Sequence, residues 1–138
     1  MEKLTREGKP FTIEYKTNSE HTSVSHFHDA YELVYFTKAD LTLFVKDNRL
    51  RLQDGDLLLV NAFERHKYLY TPDASYVRYV INFKPEFISA LITALHIPSL
   101  LDPVKQPGFL LARGNVKTRQ EAEGYFRRLF ESHAALAE

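Results

Sequence analysis

The side chains with the most chemistry to offer are three imidazoles and a carboxylate, carried by two short blocks. The first is His26-Phe27-His28-Asp29-Ala30-Tyr31-Glu32; the second is Gly55-Asp56-Leu57-Leu58-Leu59-Val60, followed by His66. On an extended strand, side chains two residues apart point to the same face, so His26 and His28 look into one space and Phe27 looks away from it. Glu32 shares their parity if the chain stays extended, and His66 adds a third imidazole from a separate strand. Three imidazoles and a carboxylate are what a borderline divalent metal (Zn, Ni, Mn or Fe) accepts, at about 2.0–2.2 Å. The same groups also suit a metal-free arrangement in which they line a pocket mouth or hydrogen-bond one another. His66 has a third option, a satisfied histidine at a strand start. His21, His96 and His133 fall in a turn, a helix end and a helix stripe, where structural roles are the rule.

Two further residues belong with this group. Arg78 interrupts the apolar run Tyr76-Val77-Arg78-Tyr79-Val80-Ile81-Asn82-Phe83. It either faces solvent or is buried with a partner, because an unpaired buried charge is costly. Tyr68 shares the parity of His66 and is either a pocket residue or an ordinary cross-strand packing residue. An aromatic face with a few fixed polar groups is how a barrel mouth holds a sugar or a similar small polar ligand. The sequence has no Ser-His-Asp arrangement, Gly-rich phosphate loop or H-E-x-x-H element.

These residues sit on strands. Phe11 to Tyr15 and Thr22 to His28 alternate; Tyr31 to Thr37, Leu41 to Val45, Leu50 to Leu52, Leu57 to Val60, His66 to Tyr70 and Tyr76 to Phe83 follow. Asp47-Asn48 reads as a tight hairpin turn, Gln53-Asp54-Gly55-Asp56 as the next, and Thr71-Pro72-Asp73 as a break. Eight or so short strands with frequent turns point to a sandwich or barrel, not a parallel α/β sheet. The period changes after Phe83. Pro85 opens a helix carrying Phe87, Ile88, Leu91, Ile92 and Leu95, which Pro98 stops. Phe109-Leu110-Leu111 reads as one more short strand. A second helix begins near Thr118, with Thr118 and Glu121 spaced as a capping box. Its apolar stripe is Ala122, Tyr125, Phe126, Leu129, Phe130, His133 and Leu136, with Arg127, Arg128 and Glu131 facing away. The stripe serves either packing on the domain itself or pairing with a second copy. Residues 1–84 thus form a β unit and residues 85–138 a helical region packed on it. The last helix has no stop signal before Glu138, which reads as a chain cut from a longer protein.

Bulk properties narrow the function. A length of 138 residues suits one domain with a single core. There are no cysteines, so disulfides, thiolate nucleophiles and Cys-based zinc sites are excluded. Eighteen acidic and eighteen basic residues leave a formal net charge of zero, with no surplus to neutralise a duplex backbone. The charged N-terminus lacks a signal-peptide h-region, and no apolar run approaches the roughly 18 residues of a spanning helix. A soluble, cytoplasmic protein is expected.

The two blocks resemble the cupin superfamily, whose first motif has the form HxH-x3-4-E and whose second begins with Gly and ends near His. The likeness covers roughly Thr22 to Phe83. In combination, His28-Asp29-Ala30-Tyr31-Glu32-Leu33, Gly55 to Val60, His66 and Arg78-Tyr79-Val80-Ile81-Asn82-Phe83-Lys84-Pro85 look like the N-terminal effector domain of AraC-family transcription regulators. The resemblance implies a mainly β, cupin-like jelly roll followed by helices that dimerise and lead into two helix-turn-helix units absent from this chain. It also places the Arg78 strand along the effector pocket. The sequence departs from metal cupins at Ala39, where a Gly is usual. Asn61-Ala62-Phe63 replaces a Pro-x-Gly turn, and Tyr70 replaces a closing Asn. Three functions remain open: an effector sensor with ligand on His26, His28, Glu32, His66, Tyr68 and Arg78; a metal-dependent isomerase or dioxygenase using His26, His28, Glu32 and His66; and a sugar-binding module without a switch.

Overall fold

A computed structural model of the chain describes residues 10–17 and 29–137, with side chains to residue 134. The strand expected over Thr22 to His28, and with it His26 and His28, lies outside the described residues. The elements are β1 (Phe11–Thr17), β2 (Tyr31–Lys38), β3 (Asp40–Val45), β4 (Asn48–Gln53), β5 (Asp56–Val60), β6 (His66–Tyr70), β7 (Val77–Phe83), α1 (Pro85–Leu95), α2 (Asp102–Lys105), β8 (Phe109–Arg113) and α3 (Val116–Ala137). The strands pair antiparallel in two sheets, β1-β7-β2-β5-β8 and β4-β3-β6. This is the expected mainly β jelly roll. Among the described residues the sheets do not join into the closed barrel that the strand count suggested, and the core lies between two facing layers.

The period of two sorts the side chains. Val34 and Phe36 of β2, Leu58 and Val60 of β5, and Val80 of β7 meet Leu41, Leu43 and Val45 of β3 and Leu52 of β4 in one buried cluster. The other face of the five-stranded sheet carries Tyr15, Tyr35 and Tyr79, and α3 lies across it. Phe126 stacks on Tyr35 with ring centroids 5.4 Å apart and lies 6.0 Å from Tyr79, while Phe130 lies 6.0 Å from Tyr15. The Tyr35 hydroxyl donates to the Arg119 carbonyl at 3.0 Å. The apolar stripe therefore splits: Phe126, Phe130 and His133 share one helical face on the sheet, whereas Tyr125 and Leu129, about 100° round the axis, are exposed.

Local chemistry fixes the ends of the elements. Lys84 precedes α1, Pro85 occupies its first turn, and His96 closes it in the left-handed region with φ 57°. The α3 start lies earlier than the Thr118 capping box predicted. The Asn115 side chain accepts the Thr118 backbone N–H at 2.9 Å, so Asn115 is the cap and Thr118 the third helical residue. The β3–β4 turn is Lys46-Asp47, one residue before the expected Asp47-Asn48, because Asn48 already pairs with Val45. Gly55 has φ 84°, and its N–H donates to the Phe36 carbonyl at 2.6 Å. Next to it, buried Asp56 accepts from the Gln53 N–H at 2.8 Å and from Arg113 Nε at 3.0 Å, joining the β4–β5 turn to β8. Among the described residues, no helix is long and apolar enough to cross a membrane.

Candidate functional site

The sequence-predicted residues that lie within the described structure all face the space between the sheets. Glu32, at the start of β2, has the parity of Val34 and Phe36; His66 and Tyr68 of β6 face it from the other layer. The Tyr68 hydroxyl donates to Glu32 Oε1 at 2.7 Å, and His66 Nε2 lies 3.3 Å from the same oxygen. His66 Nδ1 lies 3.1 Å from the Glu64 carbonyl oxygen, which accepts its proton. All three residues are more than nine-tenths buried.

Burial alone would pull the His66 pKa down. The hydrogen bond and negative charge of Glu32, helped by Glu64, outweigh it and raise the value above the ordinary 6.5. The contact with the carboxylate thus favours the imidazolium form. Burial, and then the Glu32 charge, push the Tyr68 phenol well above 10, so it stays a hydrogen-bond donor. Two positions of the proposed His26, His28, Glu32 and His66 metal set thus come together, while His26 and His28 fall outside the described residues. Among the described residues no group of three or more His, Asp or Glu side chains could hold an ion. Asp29 and Ala30, just before β2, form a bend.

Two members of the site were not singled out from the sequence. In the sheet register Asn82 lies directly between Thr12 on β1 and Glu32 on β2. In-register neighbours on one face have Cβ atoms about 5 Å apart, so the three form a polar row. Asn82 is only 4% exposed, yet among the described residues neither its Nδ2 nor its Oδ1 has a hydrogen-bond partner; Thr12 Oγ1, in a residue 8% exposed, has none there either. The available signal was Asn82 itself, a polar residue in an apolar strand at the parity of Val80.

Arg78 turns inward as well, at the other end of β7. Its guanidinium carbon lies 5.9 Å from the centroid of the Tyr70 ring, its charge acts on Tyr68, and its buried Nη1 has no hydrogen-bond partner. Arg78 is thus half-buried, and among the described residues its Nη1 lacks the partner that an inward arginine was expected to need.

This jelly roll, with polar groups on its inner face and helices at its C-terminal side, defines a cupin-type binding domain. The family of AraC-like ligand binding domains matches residues 9–136, and the chain belongs to that family. No curated protein matches the sequence. Among solved structures, apo ToxT from Vibrio cholerae is 15% identical with a TM-score of 0.65, the match covering 88% of this chain and 48% of that one. ToxT bound to (E)-4-(8-methylnaphthalen-1-yl)but-3-enoic acid is 13% identical with a TM-score of 0.60, over 88% of this chain and 49% of that one. A Cupin 2 conserved barrel domain protein from Salinispora arenicola is 19% identical with a TM-score of 0.50, over 62% of this chain and 72% of that one. At these identities the likeness shows the fold alone. The chain spans about half the length of the ToxT structures.

Proposed function

We propose that this domain is the effector sensor of an AraC-type transcription regulator, binding a small polar molecule between its two sheets. The observation that carries the reading is the inward row Thr12–Asn82–Glu32, in which an amide and a hydroxyl are buried without partners. An unsatisfied buried polar group costs about 1–3 kcal/mol, so native proteins keep few of them without a use. A ligand with hydroxyls, such as a sugar, supplies the missing donors and acceptors, and the Glu32–His66–Tyr68 network beside it holds the row in place. The acid bound by ToxT supports small-molecule binding in a related fold.

The strands provide a path from ligand to output. β2 and β7 carry Glu32, Arg78 and Asn82 on one face and Tyr35 and Tyr79 on the other, against Phe126 of α3. A ligand that prefers one setting of these strands biases the seat of α3, provided its affinity differs between the two settings. Cytoplasmic location, pairing of two copies through the exposed Tyr125 and Leu129, and DNA binding by helix-turn-helix units outside this sequence belong to the same proposal.

A thermal-shift screen of sugars, sugar acids, amino acids and organic acids tests it. At least one compound should raise the melting temperature, and Asn82→Ala should reduce that shift several-fold. If every stabilising compound acts equally on wild type and Asn82→Ala, the ligand does not sit on this row.

A further inference from the structure

We propose that Arg78 is the anchor for a carboxylate, and hence that the effector is an organic acid anion rather than a neutral molecule. This rests on the reading of the domain as a sensor and narrows the class of ligand.

The charges on the inner faces are spent unequally. Glu32 is matched by the His66 imidazolium and by the Tyr68 hydroxyl. Asp56 is matched by Arg113. Arg78 lies on the same inner face as Val80 and Asn82, and among the described residues no carboxylate pairs with it. Its Nη1 is buried without an acceptor, and its Cζ lies 5.9 Å from the centroid of the Tyr70 ring. A cation-π contact steadies a guanidinium but accepts none of its N–H bonds. The nearest acid by register, Glu14, stands opposite Val80, one row away from Arg78, whose own register partner on β1 is Lys16.

The buried Nη1 is a donor left without an acceptor among the described residues, and such a group costs free energy until something accepts from it. The remaining solution is an anion from outside. The planar guanidinium fork matches the two oxygens of a carboxylate, giving paired charge-assisted hydrogen bonds that a neutral hydroxyl does not provide. The Tyr70 and Tyr68 rings beside it form an apolar wall for the carbon skeleton of such an acid. A neutral sugar would leave the charge as uncompensated as before.

The test pairs acids with their uncharged counterparts: benzoate with benzamide, octanoate with octanamide, glucuronate with glucuronamide and glucose. Each is titrated against wild type, Arg78→Lys, Arg78→Gln and Arg78→Met by thermal shift and calorimetry. At least one acid should bind about ten-fold or more tightly than its amide. Arg78→Gln and Arg78→Met should weaken it by about ten-fold or more, with Arg78→Lys intermediate because it keeps the charge and loses the fork. Without ligand, Arg78→Met should melt no lower than wild type, since it removes a half-buried guanidinium whose Nη1 has no acceptor among the described residues. A melting temperature more than about 3 °C lower would make Arg78 a structural residue and overturn the assignment. If amides or glucose bind as well as the acids and depend on Asn82 alone, the carboxylate is wrong and the sensor stands. If nothing in the panel or the wider screen stabilises the wild type, both fall.

Discussion

His66 is held between two oxygen acceptors, the Glu64 carbonyl on one side and the Glu32 carboxylate on the other, so its proton is worth more in the folded chain than in the unfolded one. Its folded pKa is raised, and its contribution to stability is therefore complete below the unfolded value of about 6.5 and lost as pH rises through the folded value. Urea midpoints should fall with increasing pH across that window, and His66→Asn or Glu32→Gln should flatten the slope. A wild-type profile that does not fall there contradicts the ion pair. The sequence made Glu32, His66 and Tyr68 legible because imidazoles, carboxylates and strand parity are all visible in it. Asn82 and Thr12 were not legible. Their significance comes from lying side by side across β1, β7 and β2, and register between strands distant in sequence leaves no mark on either strand alone.

The turns and the final helix show what local sequence decides and what tertiary packing overrides. Gly55 is needed for its backbone: its φ of 84° disfavours any side chain, while an added Cβ would only displace the end of the flexible Arg119 side chain of α3. Gly55→Ala should cost about 1–3 kcal/mol in chemical denaturation. A cost near zero would mean that the turn re-forms differently. On α3 the helical period was plain in the sequence, but the stripe was wider than the sheet could cover, so only its register against Tyr35 and Tyr79 separates Phe126 from Tyr125. Phe126→Ala should lose about 2–4 kcal/mol, while Tyr125→Ala should stay within about 0.5 kcal/mol, apart from its contact with the Arg128 guanidinium. Equal losses would mean that the helix is seated differently. The earlier start of α3 has a simple cause, since Asn115 is as good a cap as Thr118 and stands at the end of β8.

At the scale of the whole molecule, one sheet serves two neighbours. Its inner face meets the smaller sheet and carries the polar row and Arg78; its outer face is aromatic and carries α3. The alternating residues of β2 and β7 made the mainly β class readable, and the resemblance carried by the two blocks implied the jelly roll. The choice between a sandwich and a closed barrel stayed open, because closure depends on which edge strands pair, and β8 reaches β5 only after two helices. The arrangement ties ligand occupancy to the position of the final helix through strands only one residue thick. Nuclear magnetic resonance on the ¹⁵N-labelled chain, titrated with the best stabilising compound from the screen, gives the most direct answer. The Asn82 side-chain amide and the backbone amides of Thr12 and Glu32 should shift first and most, followed by smaller changes at Tyr35, Tyr79 and Phe126. Shifts confined to the exposed side of α3 around Tyr125 and Leu129, with the Asn82 amide unmoved, would contradict a ligand held between the sheets.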